Sequence, residues 1–382
     1  MVKESRLPPL SLYIHFPWCI QKCPYCDFNS HAVKTGIPEM QYVDALLADL
    51  QADLALLTVP RSIGSIFMGG GTPSLFSAAA LQCLLDGIKQ QVNLQSDCEI
   101  TLEANPGTFE SAKFQAFREL GINRLSIGIQ SFNDRHLKKL GRVHNASEAI
   151  KAVNIATQAG FTNVNLDLMF GLPAQTLNEA LLDVNTALSL QPTHVSFYQL
   201  TLEPNTYFYK FPPKLPEDDA IYALQKASQQ LLDEHGYQQY EISAYAKPGF
   251  QCRHNRNYWE FGDYLGIGAG AHGKISRILP DDIIRTAKPK SPEQYLKNYT
   301  AIVSEPISQA QLPLEFVMNH LRLKTGFSLN DYQNMTGLEP SSLEPALSQC
   351  IDASLLINDG QRFFCSEQGW DFLDEILEKF MP

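Results

Sequence analysis

The sequence predicts an α/β fold, a partial (β/α)6 barrel followed by a small, winged-helix-like C-terminal helical domain. Six short β-rich runs alternate with stretches of helical periodicity up to about residue 235. Such alternation implies parallel strands joined by right-handed crossovers, in an α/β barrel or an open α/β sheet. After about residue 306 the pattern changes to short helices around one hairpin. A chain of 382 residues is long enough for one large domain and one or two small ones.

The elements of the barrel follow from these patterns. The expected strands are residues 12–16, 65–68, 99–103, 124–129, 163–169 and 194–200. The expected helices are residues 40–57, 78–90, 109–120, 146–159, 177–190 and about 216–235. In barrels of this kind the chemistry gathers at the C-terminal ends of the strands. We therefore expect the functional side chains directly after each β-rich run.

The C-terminal region is expected to contain helices at 312–323, 338–350 and 366–380 and a hairpin at 355–364 around Asp359-Gly360. Two helices, a hairpin and a helix are the order of a winged helix. Residues 307–382 contain four Lys or Arg against eleven Asp or Glu, however, so DNA is a poor partner. We expect this region to pack over the barrel mouth or to dock a protein.

The composition limits the function classes. A net charge of −11 argues against a nucleic-acid partner, whose phosphates need a basic face. No apolar stretch approaches the ~20 residues of a membrane span. We expect a soluble, cytoplasmic protein without a transmembrane segment. Peripheral membrane contact and the oligomeric state are left open.

Three cysteines, Cys19, Cys23 and Cys26, lie within eight residues. A C-x3-C-x2-C loop can bind three corners of a cubic [4Fe-4S] cluster and leave the fourth iron open to a small molecule. A zinc site would need a further ligand from His15 or His31, and zinc knuckles usually pair two C-x2-C units. A disulfide framework is disfavoured because no signal peptide precedes the loop, so the thiols should be reduced. The spacing favours the cluster.

Small and acidic residues follow the expected strands. The glycines at 69–71 either let the backbone approach a ligand or build a turn. Glu103 and Asp167 stand in otherwise apolar runs, where an unpaired carboxylate is costly to bury. Each either pairs with an arginine such as Arg124 or Arg142, or binds a cationic or hydroxylated ligand. Two such carboxylates at strand ends beside an open cluster favour a ligand.

Four segments carry a resemblance to a known family: residues 13–19, the Gly-Gly-Gly-Thr-Pro-Ser run at 69–74, the sequence Glu-Ala-Asn-Pro at 103–106 and residues 124–132. With the three cysteines they resemble the radical S-adenosylmethionine (SAM) enzymes related to oxygen-independent coproporphyrinogen III dehydrogenase, over nearly the whole chain. The resemblance implies that the open iron chelates the amino and carboxylate groups of SAM. It also implies that a reduced cluster cleaves the sulfonium to a 5′-deoxyadenosyl radical.

The resemblance also assigns site residues. It implies that Cys19, Cys23 and Cys26 bind the cluster and that Tyr13 lies beside it. Gly70, Gly71 and Thr72 would meet the methionine end of SAM. The resemblance further implies contacts with SAM, including a second SAM molecule, for four more residues: Glu103, Gln130, Arg142 and Asp167.

One position departs from the dehydrogenase pattern, which continues to a fourth cysteine where this chain has Phe28. A phenylalanine cannot bind iron, transfer a hydrogen atom or act as a redox thiol. The substitution argues against the decarboxylating activity of the dehydrogenase, although the radical machinery looks complete. Whether the chain is an enzyme is therefore left open.

A second motif lies downstream of the barrel. His254, Asn255, Tyr258 and Trp259 form the pattern H-N-x-x-Y-W, which resembles the haem-chaperone branch of the same family. Imidazole is a natural axial ligand of haem iron, and flat aromatic rings can stack on a porphyrin. His254 is the first choice for the ligand and His272 is its rival, while a plain hydrogen-bonded histidine is the alternative. The glycines at 262–273 either admit a flat ligand or build turns.

The chain is accordingly divided into three parts. Residues 1–235 would form the barrel with the [4Fe-4S] and SAM sites, 236–305 an accessory segment with the haem motif, and 306–382 the helical domain. The resemblance implies haem as a further cofactor and haem-accepting proteins as partners. The functional hypotheses are a haem chaperone on a radical SAM core, a radical enzyme acting on coproporphyrinogen III or another tetrapyrrole, and an enzyme acting on an unrelated small molecule.

Overall fold

A computed structural model describes residues 7–34, 36–108, 111–278, 282–299 and 302–382. Its strands are β1 Leu10–Phe16, β2 Trp18–Cys19, β3 His31–Ala32, β4 Ile63–Gly70, β5 Leu94–Ala104, β6 Arg124–Gln130, β7 Asn163–Phe170, β8 His194–Gln199, β9 Gln238–Glu241, β10 Ala244–Ala246, β11 Asp263–Ile267, β12 His272–Arg277, β13 Asp282–Ala287, β14 Val303–Pro306, β15 Leu356–Asn358 and β16 Phe363–Cys365.

The helices alternate with the first eight strands and then dominate the C-terminal region. They are α1 Glu39–Leu54, α2 Ala78–Gln91, α3 Ser111–Glu119, α4 Asp134–Lys139, α5 Ala146–Gln158, α6 Leu177–Ser189, α7 Tyr207–Lys210, α8 Asp218–Glu234, α9 Arg253–Trp259, α10 Pro292–Lys297, α11 Leu312–His320, α12 Leu329–Thr336, α13 Ala346–Asp352, α14 Glu367–Asp371 and α15 Leu373–Lys379.

The predicted partial barrel is confirmed. Strands β1, β4, β5, β6, β7 and β8 are neighbours in this order, and every pair among them is parallel. All six predicted barrel helices are present, although residue 109, the predicted start of the third, lies outside the described residues. Their boundaries follow local signals: Asn145 and Thr176 form capping boxes at the starts of α5 and α6.

Strand alternation separates the core from the barrel interior. In β1, Leu12, Ile14 and Phe16 are fully buried in the main apolar cluster between sheet and helices. Tyr13 and His15 lie between them in sequence, so they face the other side of the sheet, the barrel interior. The side chains that a ligand could reach therefore come from every second residue of each barrel strand.

The segment after α8 extends the same sheet at both edges. Strands β9 and β10 continue it beyond β8, while β11 pairs in parallel with β1 and leads to the antiparallel strands β12, β13 and β14. The sheet thus contains twelve strands among the described residues. The three-part division of the chain stays a prediction.

The C-terminal region differs in detail from the prediction. The hairpin forms from β15 and β16, but α12 was not predicted. The predicted helix at 338–350 is instead a 3-10 turn at Pro340–Leu343 followed by α13, because Pro340 and Pro345 prevent a continuous helix. The predicted last helix breaks at Phe372 into α14 and α15.

This region was expected to pack over the barrel mouth or to dock a protein; its described contacts with the barrel are mainly with β9 and α9, and docking stays a prediction. Its Arg322 and Leu323 contact β9 and α9, and its Phe316 packs on Phe261 directly after α9. Helix α9 lies at the starts of the barrel strands, the end opposite to the mouth.

No described helix is both long enough and apolar enough to cross a membrane.

Candidate functional site

The C-terminal ends of the barrel strands surround a cavity of about 320 Å3, which we call the mouth cavity. Ten of the predicted site residues line it, namely Cys19, Cys23, Cys26, Gly70, Gly71, Thr72, Glu103, Gln130, Arg142 and Asp167. Phe28 lines it as well. These residues are separated by up to 148 positions in the sequence (19 to 167), so it is the parallel order of the strands that brings them together.

The cysteine loop is held by its backbone. The amide of Thr72 donates to the carbonyl of Trp18 at 2.7 Å, and the amide of Gly71 donates to Phe16 at 2.7 Å. On the other side of the loop the amide of Phe208 donates to Pro24 at 2.9 Å. The loop is therefore tied to the end of β4 and to α7.

The three thiols of the loop are free and partly buried. Burial raises the pKa of Cys19 and of Cys26, so a bound cation is needed to keep them as thiolates at neutral pH. Nη1 of Arg142 lies 3.7 Å from Sγ of Cys23 and supplies one positive charge.

Among the described residues no three His, Cys, Asp or Glu side chains are grouped so as to hold a single metal ion. A cubane does not require such a group, because each of its thiolates binds a different iron. Three free thiols on one loop, facing one cavity and beside an arginine, fit a three-cysteine [4Fe-4S] cluster.

Arg142 is itself held within the wall of the mouth cavity. Its Nη2 donates to the carbonyl of Gly128 at 2.7 Å, while its buried Nε has no hydrogen-bond partner. A buried guanidinium with a free donor beside a cavity is suited to an anionic group of a ligand.

Glu103 of β5 and Asp167 of β7 both line the mouth cavity. Oε2 of Glu103 accepts a hydrogen bond from the amide of Gly70 at 3.0 Å. Asp167 accepts from Nδ2 of Asn165 at 2.7 Å and from Oγ of Ser126 at 3.2 Å. Burial, and then the charge of Asp167, raise the pKa of Glu103 to about 8.

Burial also raises the pKa of Asp167. Within the described residues neither carboxylate forms an ion pair, and Arg142 is directed to Gly128 and Cys23 instead. The structure thus does not support the alternative of local pairing with an arginine. Two half-buried carboxylates with raised pKa values, facing one cavity, are suited to a cationic ligand.

Gln130 has a backbone conformation that residues other than glycine rarely adopt, with φ at +70°. Its Oε1 accepts a hydrogen bond from the hydroxyl of Tyr198 at 2.7 Å. Tyr198, together with Ser126, lines the mouth cavity but was not predicted. The alternation of β8 places Tyr198 on the same side of the sheet as Ser196, which could have identified it.

The glycines after β4 serve packing as well as access. Gly70 has φ at +106°, and a Cβ there would lie 2.4 Å from the ring of His15. A Cβ on Gly71 would lie 2.5 Å from the carbonyl oxygen of Trp18. These contacts show that the glycine run allows β4 to pass close to β1 and the cysteine loop, while both residues also line the mouth cavity.

A second cavity of about 640 Å3, the side cavity, adjoins the first. Phe28, Gly70 and Glu103 line both cavities. The other predicted residues in the wall of the side cavity are Tyr13, Asn255, Tyr258, Trp259 and His272. Helix α11 of the C-terminal region adds Met318 and Asn319.

Tyr13 is therefore not part of the mouth cavity, where the family role would place it beside the cluster. Its hydroxyl lies 2.9 Å from Nδ1 of His15. Tyr13 lies three residues before the end of β1, deeper in the barrel than the strand ends that surround the mouth. Tyr13 shares the side cavity with Gly70 and Glu103, and its contact with SAM stays a prediction.

His254 does not line the side cavity, although it belongs to the predicted haem motif. It is 1% exposed, with Nδ1 lying 3.1 Å from Oγ of Ser65 and Nε2 lying 2.8 Å from the hydroxyl of Tyr258. Burial lowers its pKa to about 3. Both ring nitrogens are occupied, so the expectation that His254 is the first choice for an iron ligand is corrected by this geometry.

The motif instead lies at the N-terminal ends of the barrel strands, which we call the floor of the barrel. The amides of Arg253 and His254, at the start of α9, donate to Glu99 of β5 at 3.0 and 3.4 Å. Tyr258 and Trp259, at the other end of α9, reach the side cavity. The motif thus contributes aromatic side chains to the cavity wall, and its histidine holds Tyr258 in place by a hydrogen bond.

Comparison with known proteins identifies the family. Residues 13–185 match the Radical SAM superfamily, and residues 307–372 match the HemN C-terminal domain. The heme chaperone HemW of Haemophilus influenzae is 51% identical over 98% of this chain and 99% of its own. That of Escherichia coli is 48% identical, also over 98% and 99%. The chain belongs to the HemW family.

More distant HemW proteins and a solved structure agree with this assignment. The heme chaperone HemW of Bacillus subtilis is 34% identical over 97% of this chain and 99% of its own. The structure of coproporphyrinogen III oxidase (HemN) from E. coli, a radical SAM enzyme, covers 98% of this chain and 90% of its own with a TM-score of 0.82 and 22% identity. The likeness to HemN confirms the radical SAM fold.

Proposed function

We propose that this chain binds haem and transfers it to acceptor proteins, on a radical SAM core that holds a [4Fe-4S] cluster and SAM. The observation that carries the proposal is the side cavity. Its volume of about 640 Å3 lies within the ~300–1,000 Å3 typical of ligand sites. The rings of Tyr13, Tyr258 and Trp259 line it and offer flat apolar surface to a porphyrin. Relatives named heme chaperone support the same ligand.

In this proposal the mouth cavity holds the other two cofactors. Cys19, Cys23 and Cys26 bind the cluster, and the charge of Arg142 offsets that of the thiolates. Bound there, the cluster and SAM would supply radical chemistry through reductive cleavage of the sulfonium.

The remaining residues of the mouth cavity orient SAM. Gly70, Gly71 and Thr72 meet its methionine end, Glu103 and Asp167 hold its positive groups, and Gln130 completes the wall. The residues act by binding, by orientation and by exclusion of water.

Phe28 favours haem binding over decarboxylation. Its side chain is 58% exposed and lines both cavities at the position where the dehydrogenase pattern has a cysteine. An apolar ring there can pack on a porphyrin, but it supplies no thiol for hydrogen transfer.

One observation supports a second candidate, a radical enzyme acting on a tetrapyrrole. Because Gly70 and Glu103 line both cavities, a tetrapyrrole in the side cavity would lie next to SAM in the mouth cavity. Such proximity is what radical transfer from SAM to a substrate requires. The two candidates share both binding sites and differ in whether the tetrapyrrole is changed.

A single anaerobic sample separates the candidates. The reconstituted protein is titrated with haem, incubated with a haem-free acceptor haemoprotein, and assayed for SAM cleavage and for turnover of coproporphyrinogen III. The chaperone proposal expects haem binding, transfer to the acceptor and unchanged coproporphyrinogen. Sustained coproporphyrinogen turnover would support the second candidate, and a protein that binds no haem would contradict the first.

The proposal extends to compartment and partners. Three free thiols and an iron–sulfur cluster suit a reducing compartment, so we propose the cytoplasm. The net charge of −11 disfavours nucleic acid, which leaves haem and haem-accepting proteins as the partners.

A further inference from the structure

We propose that His272 is the axial ligand of the haem iron, with the haem seated in the side cavity. The inference rests on the proposed function, since it presumes that the chain binds haem. It deepens that function by naming the iron ligand, and it replaces the histidine of the H-N-x-x-Y-W motif. Three histidines lie in or beside the cavity, and their hydrogen bonds distinguish them.

Two of the three histidines have no free ring nitrogen. His15 lines the side cavity, but its Nδ1 lies 2.9 Å from the hydroxyl of Tyr13 and its Nε2 lies 2.8 Å from the carbonyl oxygen of Asn29. His254 lies behind the wall, bonded to Ser65 and Tyr258. An iron bond at either residue would break a hydrogen bond and leave a buried or half-buried polar partner unsatisfied.

His272 has the opposite character. It lines the side cavity, its side chain is exposed, and it forms no side-chain hydrogen bond with another described residue. Coordination at either ring nitrogen would therefore break no existing contact. Partial desolvation by the cavity wall, followed by the charges of Lys290 and Arg285, lowers the pKa of His272, and the neutral imidazole is the form that binds iron.

The backbone around His272 is paired in the sheet and closely packed. His272 begins β12 and pairs with Ala287 of β13. A Cβ on Gly266 would lie 1.8 Å from the carbonyl oxygen of His272, so this close approach of β11 and β12 requires glycine. Gly262 and Gly270 line the side cavity as well, so both alternatives that the sequence left open, turn formation and access for a flat ligand, stay predictions.

The cysteine loop contacts the same turn. Nδ2 of Asn29 donates to the carbonyl oxygens of Ala269 and Lys290, both at 2.8 Å. Phe28, the residue before Asn29, lines the side cavity together with His272. A haem bound to His272 would therefore lie next to the loop that carries Cys26, and its plane could pack on Phe28.

The charges around the cavity agree with a dicarboxylate ligand. Arg285 lines the cavity, and Lys290 is exposed close to His272. Arg285 is partly neutralised by its ion pair with Glu315, so Lys290 is the freer cation for a haem propionate. Lys274 lines the cavity too, but it is bonded to Asp263 and to the carbonyl of Phe261.

The test is an anaerobic titration of the reconstituted full chain with ferric haem, followed by absorption and electron paramagnetic resonance spectra. Four proteins are compared: the parent, His272→Ala, His254→Ala and His235→Ala, an exposed histidine at the end of α8. We expect His272→Ala to lose the nitrogen-ligated spectrum and to bind haem at least about tenfold more weakly. Added imidazole should restore the spectrum of that variant, and His235→Ala should match the parent.

Other outcomes have distinct meanings. If His272→Ala keeps the parental spectrum and affinity, the assignment is overturned, whether the ligand proves to be His254 or a residue other than histidine. His272 is exposed, so its loss should leave the melting temperature unchanged, and this measurement is made on all four proteins. If the parent itself fails to bind haem, the proposed function fails before the ligand is in question.

Discussion

Glu103 is the residue whose ionisation should control SAM binding. Burial and the charge of Asp167 raise its pKa to about 8, so the carboxyl is largely protonated at neutral pH when no ligand is bound. A cationic ligand favours the ionised form, and binding below pH 8 must therefore release a proton. SAM affinity should increase as the pH rises toward 8 and then level off.

Glu103→Gln tests this dependence. The amide cannot ionise, so we expect weaker SAM binding, by about tenfold at pH 8, and little change between pH 6.5 and 8.5. Calorimetric titration with SAM of anaerobically reconstituted protein measures both quantities, and the iron content should equal that of the parent. A variant with the parental pH dependence would show that another group releases the proton.

The cysteines give a separate prediction at the same scale. Replacing Cys19, Cys23 or Cys26 by alanine should remove the [4Fe-4S] absorption and most of the ~4 irons of the reconstituted protein. Cys83 is exposed on α2 and far from the loop in sequence, so Cys83→Ala is the matched control and should keep its iron. Stoichiometric zinc in a colourless parent would contradict the cluster.

At this scale the sequence identified ten of the residues that line the mouth cavity. The cysteines could be proposed as cluster ligands from their spacing, because the three residues are close in the chain, and all three line the mouth cavity. Glu103 and Asp167 stood out as carboxylates in apolar strands. His254 was misjudged because the sequence shows that a histidine is present but not whether its nitrogens are already bonded to Ser65 and Tyr258.

Helix α9 is the element that joins the barrel floor to the side cavity. His254 packs against Phe67 with 5.1 Å between ring centroids and against Tyr258 with 4.7 Å. Its hydrogen bonds hold Tyr258 in the cavity wall. The motif is therefore better understood as a structural element that positions Tyr258 and Trp259 in the cavity wall than as a metal site.

His254→Ala should consequently lower stability. It leaves the hydroxyls of Ser65 and Tyr258 without this partner and opens a cavity, so we expect a loss of about 2–4 kcal/mol at pH 7 in urea unfolding. The folded-state pKa of about 3 lies below the usual 6.5, so the stabilising contribution of the neutral ring is lost as the pH falls from about 6.5 toward 3. The difference between parent and variant should shrink at pH 4.5. An equal difference at both pH values would contradict the buried neutral ring.

Elements were predicted as well as their signals allowed. The six barrel strands and their helices have strong periodicity, and each lies where it was expected. The C-terminal helices were less accurate, because the prediction did not use the break signal of Pro345 and because the break at Phe372 has no comparable local signal. The short helix α12 is capped by Ser328 and Asp331, a signal that was present in the sequence but not used.

At the scale of the whole molecule, the C-terminal region packs against the floor of the barrel, and its helix α11 reaches the wall of the side cavity. No local pattern could have predicted this arrangement, since it depends on contacts between segments far apart in the chain. Arg322 lies 4.2 Å above the ring of Trp259 and 3.7 Å from Glu241 of β9. These two contacts join the C-terminal region to α9 and to the edge of the sheet.

Arg322→Ala should weaken this junction in a pH-dependent way. Glu241 is buried, its pKa is raised by burial, and Arg322 is the cation that opposes the rise. Without Arg322, ionised Glu241 would remain buried with only its hydrogen bonds from Ser243 and Ile242, so we expect a loss of about 1–2 kcal/mol at pH 8 in urea unfolding. The loss should be smaller at pH 5, where Glu241 can take up a proton. Arg253→Ala, which removes an exposed ion pair with Asp97, should change the free energy of unfolding much less at either pH, because water and salt screen that pair. Equal costs for the two variants would show that the junction does not depend on the pair of Arg322 and Glu241.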